Sequence, residues 1–144
     1  MTDQKGNIVV PRSFYLIQEF DQAVKSVRDG SITWGLEDMD DTTFSRWNGT
    51  ILGPENSPYG GRIYELKIEC GPNYPDVAPT LRFTTRINMR GVNDHSGLVE
   101  PHMFNKLTHW KRGFHLQDIL SEIRQKMSAP ENKHLRQPPE GSRF

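Results

Sequence analysis

Two extended runs with apolar and polar positions, 44–52 and 62–70, flank a segment rich in glycine and proline at positions 53–61. Because Gly and Pro at this density interrupt a strand, the pattern predicts a long β-hairpin. In the second run every second residue is apolar, which is typical of a strand with one face in a core and the other in water. The apolar positions on the predicted core face are Tyr64, Leu66, Ile68 and Cys70.

Two shorter runs, positions 31–37 and 80–85, predict one strand before this hairpin and one after it. By the same alternation, Thr33 and Thr50 fall on the strand faces that point away from the core. Ile63 falls in phase with charged residues and is therefore an apolar residue on a polar face. Strands that follow one another in sequence through hairpins predict a four-stranded antiparallel meander.

Apolar residues at helical spacing predict an N-terminal helix over positions 12–28, which ends at Gly30 as a left-handed residue. Phe14 lies roughly 120° around the helix from Phe20, outside the apolar stripe, and Tyr15 lies further round. The stripe that we expect to face the core consists of Leu16, Ile17, Phe20, Ala23, Val24 and Val27.

A second amphipathic helix is predicted over positions 115–128, with Asp118 in its first turn, where an acidic residue suits the helix dipole. Positions 86–110 have no sustained period, and long irregular stretches of this kind are often functional. A helix, a meander, an irregular segment and a C-terminal helix make the fold class α+β. We interpret residues 1–144 as one domain, with an ordered core of about 8–130 and a short tail at 131–144.

Composition narrows the choice of function. The 18 basic and 18 acidic residues give a formal net charge of zero, so no bulk attraction to nucleic acid or to an anionic membrane is implied. The single cysteine excludes an internal disulfide and fits a reducing compartment. Neither a run of about 18 apolar residues nor a signal-peptide pattern is present. We therefore expect a soluble, intracellular protein that needs no cofactor.

Three segments resemble the ubiquitin-conjugating enzyme fold, and the match extends from Pro11 to about Ser128. Each segment alone is weak, but together at these spacings they are a strong signal. The segments are Gly53-Pro54 with Pro58-Tyr59-Gly60-Gly61-Arg62-Ile63-Tyr64, then Tyr74-Pro75 with Pro79-Thr80-Leu81-Arg82-Phe83, and Trp110 ahead of the last helix.

The sequence departs from active members of that family at the catalytic positions. Active members carry a His-Pro-Asn triplet after the fourth strand and a catalytic cysteine a few residues later. Here the triplet position reads Met89-Arg90-Gly91, and alignment to the family's Gly-x-Ile-Cys pattern places Glu100 where the cysteine belongs. A carboxylate cannot hold the thioester that ubiquitin transfer requires. The two further C-terminal helices of active members are also lacking.

This combination is similar to the ubiquitin-conjugating enzyme variants of the short, single-domain type, which pair with the conjugating enzyme specific for lysine-63-linked chains. The resemblance implies a catalytically inactive protein that binds the active enzyme and orients acceptor ubiquitin. It also implies a role in DNA-damage tolerance, in cytoplasm and nucleus. The local signatures are Val10-Pro11-Arg12-Ser13-Phe14, Trp34-Gly35-Leu36-Glu37-Asp38, Trp47-Asn48-Gly49-Thr50-Ile51 and the ending Leu135-Arg136-Gln137-Pro138-Pro139-Glu140-Gly141.

The resemblance also implies two sets of binding residues. Phe14 is expected to be the main anchor into a pocket on the partner enzyme, helped by Val10 and Pro11, and we call these three residues the partner face. A weak second surface suits an acceptor ubiquitin that must bind and leave. The residues expected to meet this acceptor, called the acceptor face, are Thr33, Thr50 and Ile63.

Three alternatives follow from the residues. An enzyme using Cys70 is disfavoured because the strand phase points its thiol inward and no nearby His or Lys in the sequence lowers its pKa. A stand-alone ubiquitin-binding module would need neither Phe14 nor the apolar arm at positions 8–11. A metal protein is disfavoured because the histidine spacings match no usual zinc pattern. The histidines are His95, His102, His109, His115 and His134.

Overall fold

A computed structural model describes residues 10–25 and 30–144. The order of elements confirms the predicted α+β class, with a helix before and a helix after four strands. The elements are α1 (Arg12–Lys25), β1 (Ile32–Leu36), β2 (Arg46–Leu52), β3 (Ile63–Glu69), β4 (Thr80–Phe83), a short α2 (Asn105–Thr108) and α3 (Leu116–Met127), with 3-10 turns at Pro101–Met103 and Pro130–Asn132.

The four strands form one antiparallel sheet in the order β1-β2-β3-β4, so the predicted meander is confirmed. Leu52 pairs with Ile63 at the end of the β2–β3 hairpin. Both α1 and α3 pack on the inner face of the sheet, and the indole of Trp34 donates a hydrogen bond to the Glu19 carbonyl at 3.1 Å. The four residues predicted on the core face of β3 are buried: Tyr64, Leu66, Ile68 and Cys70. The other strands also bury Trp34, Trp47, Ile51, Leu81 and Phe83, with Ile32 and Leu36 partly buried.

The buried side of α1 differs from the predicted apolar stripe. Leu16 and Ala23 are buried as expected, but Ile17 and Val24 are exposed. The predicted stretch of helix after Lys25, including Val27, lies outside the described residues, and Gly30 has the expected positive φ of 71°.

Tyr15 and Glu19 occupy the core side of α1 instead. The Tyr15 ring stacks on His115 and contacts Tyr74 edge to face. The Glu19 carboxylate accepts hydrogen bonds inside the core from the Tyr74 hydroxyl and the Leu116 N–H. These bonds keep this side of α1 turned toward the core. A buried polar group of this kind is tolerated because it is fully hydrogen-bonded.

The start of α3 carries the acidic residue that the sequence placed in its first turn. The backbone N–H of His115 donates to the Asp118 carboxylate at 2.8 Å, so the two residues cap the helix. Further along α3, the Glu122 carboxylate accepts from the N–H groups of Asn105 and Lys106, both at 2.7 Å. This cap explains why a four-residue helix, α2, forms inside the segment predicted to be irregular. The apolar stripe of α3 is buried: Leu116, Ile119, Leu120, Ile123 and Met127.

The last ten residues, 135–144, run beside the segment that follows β4, and we call them the C-terminal strap. The Asn88 N–H donates to the side-chain oxygen of Gln137 at 3.0 Å, and the Gln137 amide donates back to the Asn88 carbonyl at 2.8 Å. The Arg86 N–H donates to the Ser142 carbonyl at 2.7 Å. The strap is therefore held along its length by paired polar contacts.

Candidate functional site

The partner face lies at the start of α1, on a backbone that is fixed from two sides. Phe14 is 59 % exposed and Val10 is also exposed, whereas Pro11 is half-buried. Arg12, between them, points the other way and donates to the carbonyls of Gly71 and Cys70 at 3.0 and 2.9 Å. The exposed aromatic ring is thus presented by a helix end that is tied to the sheet.

A second arginine fixes the chain just before α1. Arg112 Nη1 donates to the Val10 carbonyl at 2.7 Å, and the same guanidinium contacts both carboxylate oxygens of Asp76, at 2.6 and 3.3 Å. A two-point Arg–carboxylate contact has a defined geometry. The rest of the apolar arm, Ile8 and Val9, lies outside the described residues.

The acceptor face lies on the outer side of the sheet. Thr33 pairs with Thr50, and Thr50 pairs with Glu65 on β3, so these side chains form one row across three strands. Both threonines are half-buried, and Ile63 is 62 % exposed. The structure thus places the three predicted residues on one face of adjacent strands.

Leu52 is a fourth residue of this face that was not predicted from the sequence. Leu52 is exposed and pairs directly with Ile63, so two apolar side chains stand together on a polar sheet face. The sequence could have predicted this position, because Leu52 is two residues from Thr50 and its side chain therefore points to the same face of the strand.

The partner and acceptor faces lie on opposite sides of the sheet. Phe14 belongs to α1, which packs on the inner face, whereas Ile63 and the two threonines point outward. The structure therefore does not bring the two sets into one site. It provides two separate surfaces, one on each side of the sheet.

Cys70 directly follows β3 and is 0 % exposed, as the alternation predicted. Burial raises the pKa of its thiol, and the nearby Glu19 carboxylate acts in the same direction, while Arg12 opposes them. The nucleophilic form of a cysteine is the thiolate. A buried thiol with a raised pKa is not arranged for attack on a substrate.

The segment that contains Gly91 and Glu100 forms a tight loop. Gly91 has a φ of 91°, and a Cβ at this position would lie 2.8 Å from the ring of Phe104, so only glycine fits. The Glu100 N–H donates to the Gly91 carbonyl at 2.8 Å, and Val92 forms a bridge with Val99. Glu100 is half-buried and immediately precedes the 3-10 turn Pro101–Met103.

The histidines do not form a metal centre in the part of the chain that the structure describes, where no group of three or more His, Cys, Asp or Glu side chains could hold a metal ion. His115 instead lies with its Nδ1 atom 2.6 Å from Glu19 Oε1. The same described residues contain no helix with the length and apolar character needed to cross a membrane.

Relatives match this chain over nearly its full length. The family model for ubiquitin-conjugating enzyme matches residues 16–140. Ubiquitin-conjugating enzyme E2 variant 1B of Arabidopsis thaliana is 42 % identical over 99 % of this chain and 89 % of its own length. Ubiquitin-conjugating enzyme variant MMS2 of Saccharomyces cerevisiae is 45 % identical over 94 % of this chain and 98 % of its own length. Among solved structures, human ubiquitin-conjugating enzyme E2 G1 shares the fold, with a TM-score of 0.71 and 24 % identity over 85 % of this chain and 100 % of that one.

Proposed function

The chain belongs to the ubiquitin-conjugating enzyme family and, within it, to the variants, and from this premise we propose that it is a non-catalytic subunit of a ubiquitin-conjugating complex. It pairs with an active conjugating enzyme and holds acceptor ubiquitin for the assembly of lysine-63-linked chains. The observation that carries this proposal is the state of its only thiol, Cys70, which is wholly buried at the end of a strand.

The proposal assigns no covalent step to this chain. Glu100 stands where the family pattern has its cysteine, and a carboxylate in that place cannot carry ubiquitin as a thioester. The activated ubiquitin and the thiol that carries it therefore belong to the partner enzyme. The contribution of this chain is the position of the acceptor.

Binding to the partner enzyme is assigned to Phe14, with Val10 and Pro11 beside it. An exposed aromatic side chain on a fixed backbone is a good interface anchor, because little conformational freedom is lost when it enters a pocket. Arg12 and Arg112 supply that fixed backbone. A ubiquitin-binding module acting alone would have no use for this arrangement.

Positioning of acceptor ubiquitin is assigned to Thr33, Thr50 and Ile63, with Leu52 added from the pairing of the strands. A patch of two apolar side chains and two hydroxyls is small, which suits weak and reversible binding. Holding the acceptor beside the partner's thioester makes the attack effectively unimolecular. The orientation then decides which lysine reacts.

A reconstituted reaction tests this function. Activating enzyme, ATP, ubiquitin and this protein are combined, with a lysine-63-specific conjugating enzyme present or omitted. Free diubiquitin is expected only when both proteins are present. No product in either reaction, while a control variant of the same family works alongside, would reject the proposal and favour a stand-alone ubiquitin-binding module.

The absence of covalent chemistry on this chain has its own test. Cys70→Ser is expected to support chain assembly as well as the unchanged protein does. A ubiquitin conjugate on this chain that forms without reductant, is released by thiol and is lost in Cys70→Ser would overturn the non-catalytic assignment.

A further inference from the structure

The C-terminal strap reaches the outer face of the sheet beside the acceptor face. Arg143 pairs antiparallel with Thr85, and the Phe144 N–H donates to the Thr84 carbonyl at 3.1 Å. Segment 84–86 in turn is fastened to β3, because the Glu65 N–H donates to the Thr85 hydroxyl at 2.9 Å. The strap therefore extends the layer of strands beyond Phe83, where β4 ends.

This extension lies in line with residues already assigned to the acceptor. Thr33, Thr50 and Glu65 form a row across β1, β2 and β3. Arg143 continues that row, because its Nη1 atom lies 3.4 Å from Glu65 Oε2. The end of the strap thus adds a cationic group next to the threonine row.

A cavity of about 300 Å³ separates these groups on the sheet surface. Its lining is mainly polar and carries charges of both signs, so it suits a polar side chain or a peptide carbonyl better than an apolar one. The side chains that decide this character are Thr50, Glu65, Lys67, Thr84 and Arg143.

The contact between Arg143 and Glu65 is loose. Both side chains are more than half exposed, and the distance of 3.4 Å is long for an arginine–carboxylate pair. A pair of this kind contributes little to folding and exchanges its partners easily. The guanidinium therefore has donors available for an incoming hydrogen-bond acceptor.

The backbone that carries Arg143 is nevertheless fixed. The Phe144 ring lies under the Arg86 guanidinium, 5.4 Å from its carbon to the ring centroid. A Cβ at Gly97 would lie 2.7 Å from the same ring, so Phe144 fills the space that this glycine leaves. An exposed guanidinium on a fixed backbone is the arrangement expected of a binding residue rather than of a flexible tail.

We propose that the end of the C-terminal strap forms one wall of the acceptor-ubiquitin surface, and that Arg143 binds a carboxylate or carbonyl oxygen of the bound acceptor. This inference rests on the proposed function and adds a residue to it. The partner enzyme binds at α1, on the other side of the sheet, so Arg143 takes no part in heterodimer formation.

The test separates the acceptor from the donor in the chain-forming reaction. The donor is ubiquitin with its lysine 63 changed to arginine, the acceptor is ubiquitin with a blocked C-terminus, and the partner enzyme is saturating. Arg143→Ala is expected to raise the KM for the acceptor about three- to tenfold, with kcat within about twofold and unchanged affinity for the partner. Arg143→Lys keeps the positive charge, and its KM for the acceptor is expected to lie between those of the unchanged protein and Arg143→Ala.

Arg136→Ala is the matched control, because it removes the same charge from the same strap at a position whose backbone carbonyl, not its side chain, is tied to Asn88. It is expected to leave the KM for the acceptor unchanged. An unchanged acceptor KM in Arg143→Ala, or equal effects of the two variants, would overturn the inference. So would a loss of kcat with a lowered melting temperature and no change in KM, since that result indicates a structural role.

Failure of the proposed function is distinguishable from failure of this inference. If the unchanged protein forms no chains with the partner enzyme, the proposed function fails, and the inference is then tested by titrating labelled protein with ubiquitin alone. Weaker ubiquitin binding by Arg143→Ala than by Arg136→Ala supports the contact, and equal binding rejects it. If the unchanged protein forms chains, the acceptor KM decides.

Discussion

The carboxylate of Glu19 is 0 % exposed, and each of its oxygens accepts hydrogen bonds. Oε1 accepts from the Tyr74 hydroxyl at 3.0 Å and lies 2.6 Å from His115 Nδ1, while Oε2 accepts from the Leu116 N–H at 3.0 Å. These contacts join α1 to the loop before β4 and to the start of α3. One buried side chain therefore fixes the position of three parts of the fold.

Replacing this carboxylate is expected to be costly even when its shape is kept. In Glu19→Gln an amide NH₂ group faces a donor, and the hydrogen bonds to a charged acceptor are lost. We expect the free energy of unfolding to fall by about 2–4 kcal/mol, measured by urea denaturation. Asp21→Asn is the control, because Asp21 is exposed on the same helix and forms an ion pair with exposed Lys25. Equal losses in the two variants would contradict the structural role of Glu19.

His115 makes the stability of the protein depend on pH. The pKa of His115 is raised above its ordinary value of 6.5, chiefly because its ring hydrogen-bonds to Glu19, and the negative charges of Glu19 and Asp118 add to this, while burial acts in the opposite direction. A histidine whose pKa is higher in the folded state contributes stability below its unfolded pKa. That contribution is lost as the pH rises through the folded pKa.

Urea unfolding between about pH 6 and pH 9 measures this effect. The difference in stability between the unchanged protein and His115→Gln is expected to be largest at the acidic end and to shrink as the pH rises. His95→Gln, at a side chain that is 90 % exposed, is the control and is expected to keep the pH profile of the unchanged protein. A difference for His115→Gln that grows with pH would show that the sign is wrong.

Single side chains differ in how far the sequence could predict them. Phe14 and Ile63 were predicted to be exposed because each breaks the local pattern of its own helix or strand, and both are exposed. Glu19 was not predicted to be buried, because periodicity counts every glutamate as polar and its donors come from distant segments. Tyr15 was placed outside the core for the same reason, since its partners Tyr74 and His115 follow much later in the chain.

Strands were predicted better than helix α1. A strand alternates strictly, so the inward residues of β2 and β3 followed directly from the sequence. The buried side of α1 could not be located to within one residue from the sequence. Ile17 and Val24 are as apolar as their buried neighbours Leu16 and Ala23, yet they are exposed. The loop between β2 and β3 was predicted as a turn, but Tyr59 within it is wholly buried and its hydroxyl donates to the Asn88 carbonyl at 2.7 Å.

The close packing of this loop can be tested at its first glycine. A Cβ at Gly53 would lie 1.8 Å from the carbonyl oxygen of Tyr59, so the loop must move to accept alanine. We expect Gly53→Ala to destabilise the protein by about 2–3 kcal/mol. This corresponds to a melting temperature lower by about 5–10 °C in calorimetry.

Gly71→Ala is the control for this experiment. No atom lies within 4 Å of a Cβ at Gly71, and its φ is not positive. Alanine there is expected to leave the melting temperature unchanged or to raise it slightly, because it restricts the unfolded chain. Similar losses in both variants would show that the β2–β3 loop is not packed as described.

The fold separates the two proposed binding surfaces by placing a sheet between them. Phe14 is carried by α1 on the inner side, and Ile63 stands on the outer side beside Thr50. If the partner enzyme binds at the first surface as proposed, the second stays uncovered, so both proteins can be held at once. In free-energy terms, substitutions at the two surfaces have no shared contact and are expected to act independently.

This independence predicts that the two kinds of variant are rescued by different proteins. Phe14→Ala removes the proposed anchor and is expected to weaken binding to the partner enzyme at least about thirtyfold, so excess partner restores the rate of chain formation. Ile63→Ala and Thr50→Ala are expected to keep the affinity for the partner, so excess partner does not restore the rate and excess acceptor ubiquitin does. Rates measured over a grid of partner and acceptor concentrations distinguish the two cases.

Val24→Ala is the matched control for the partner surface, because Val24 is apolar, 62 % exposed and on the same helix as Phe14. Ten residues of helix place it about 15 Å along the axis from Phe14, so its loss is expected to change the affinity for the partner less than twofold. Heterodimer formation by Phe14→Ala at unchanged affinity would contradict the assignment of the anchor. Rescue of Ile63→Ala by excess partner would instead mean that the outer face of the sheet belongs to the heterodimer, because mass action restores only an interaction that the substitution has weakened.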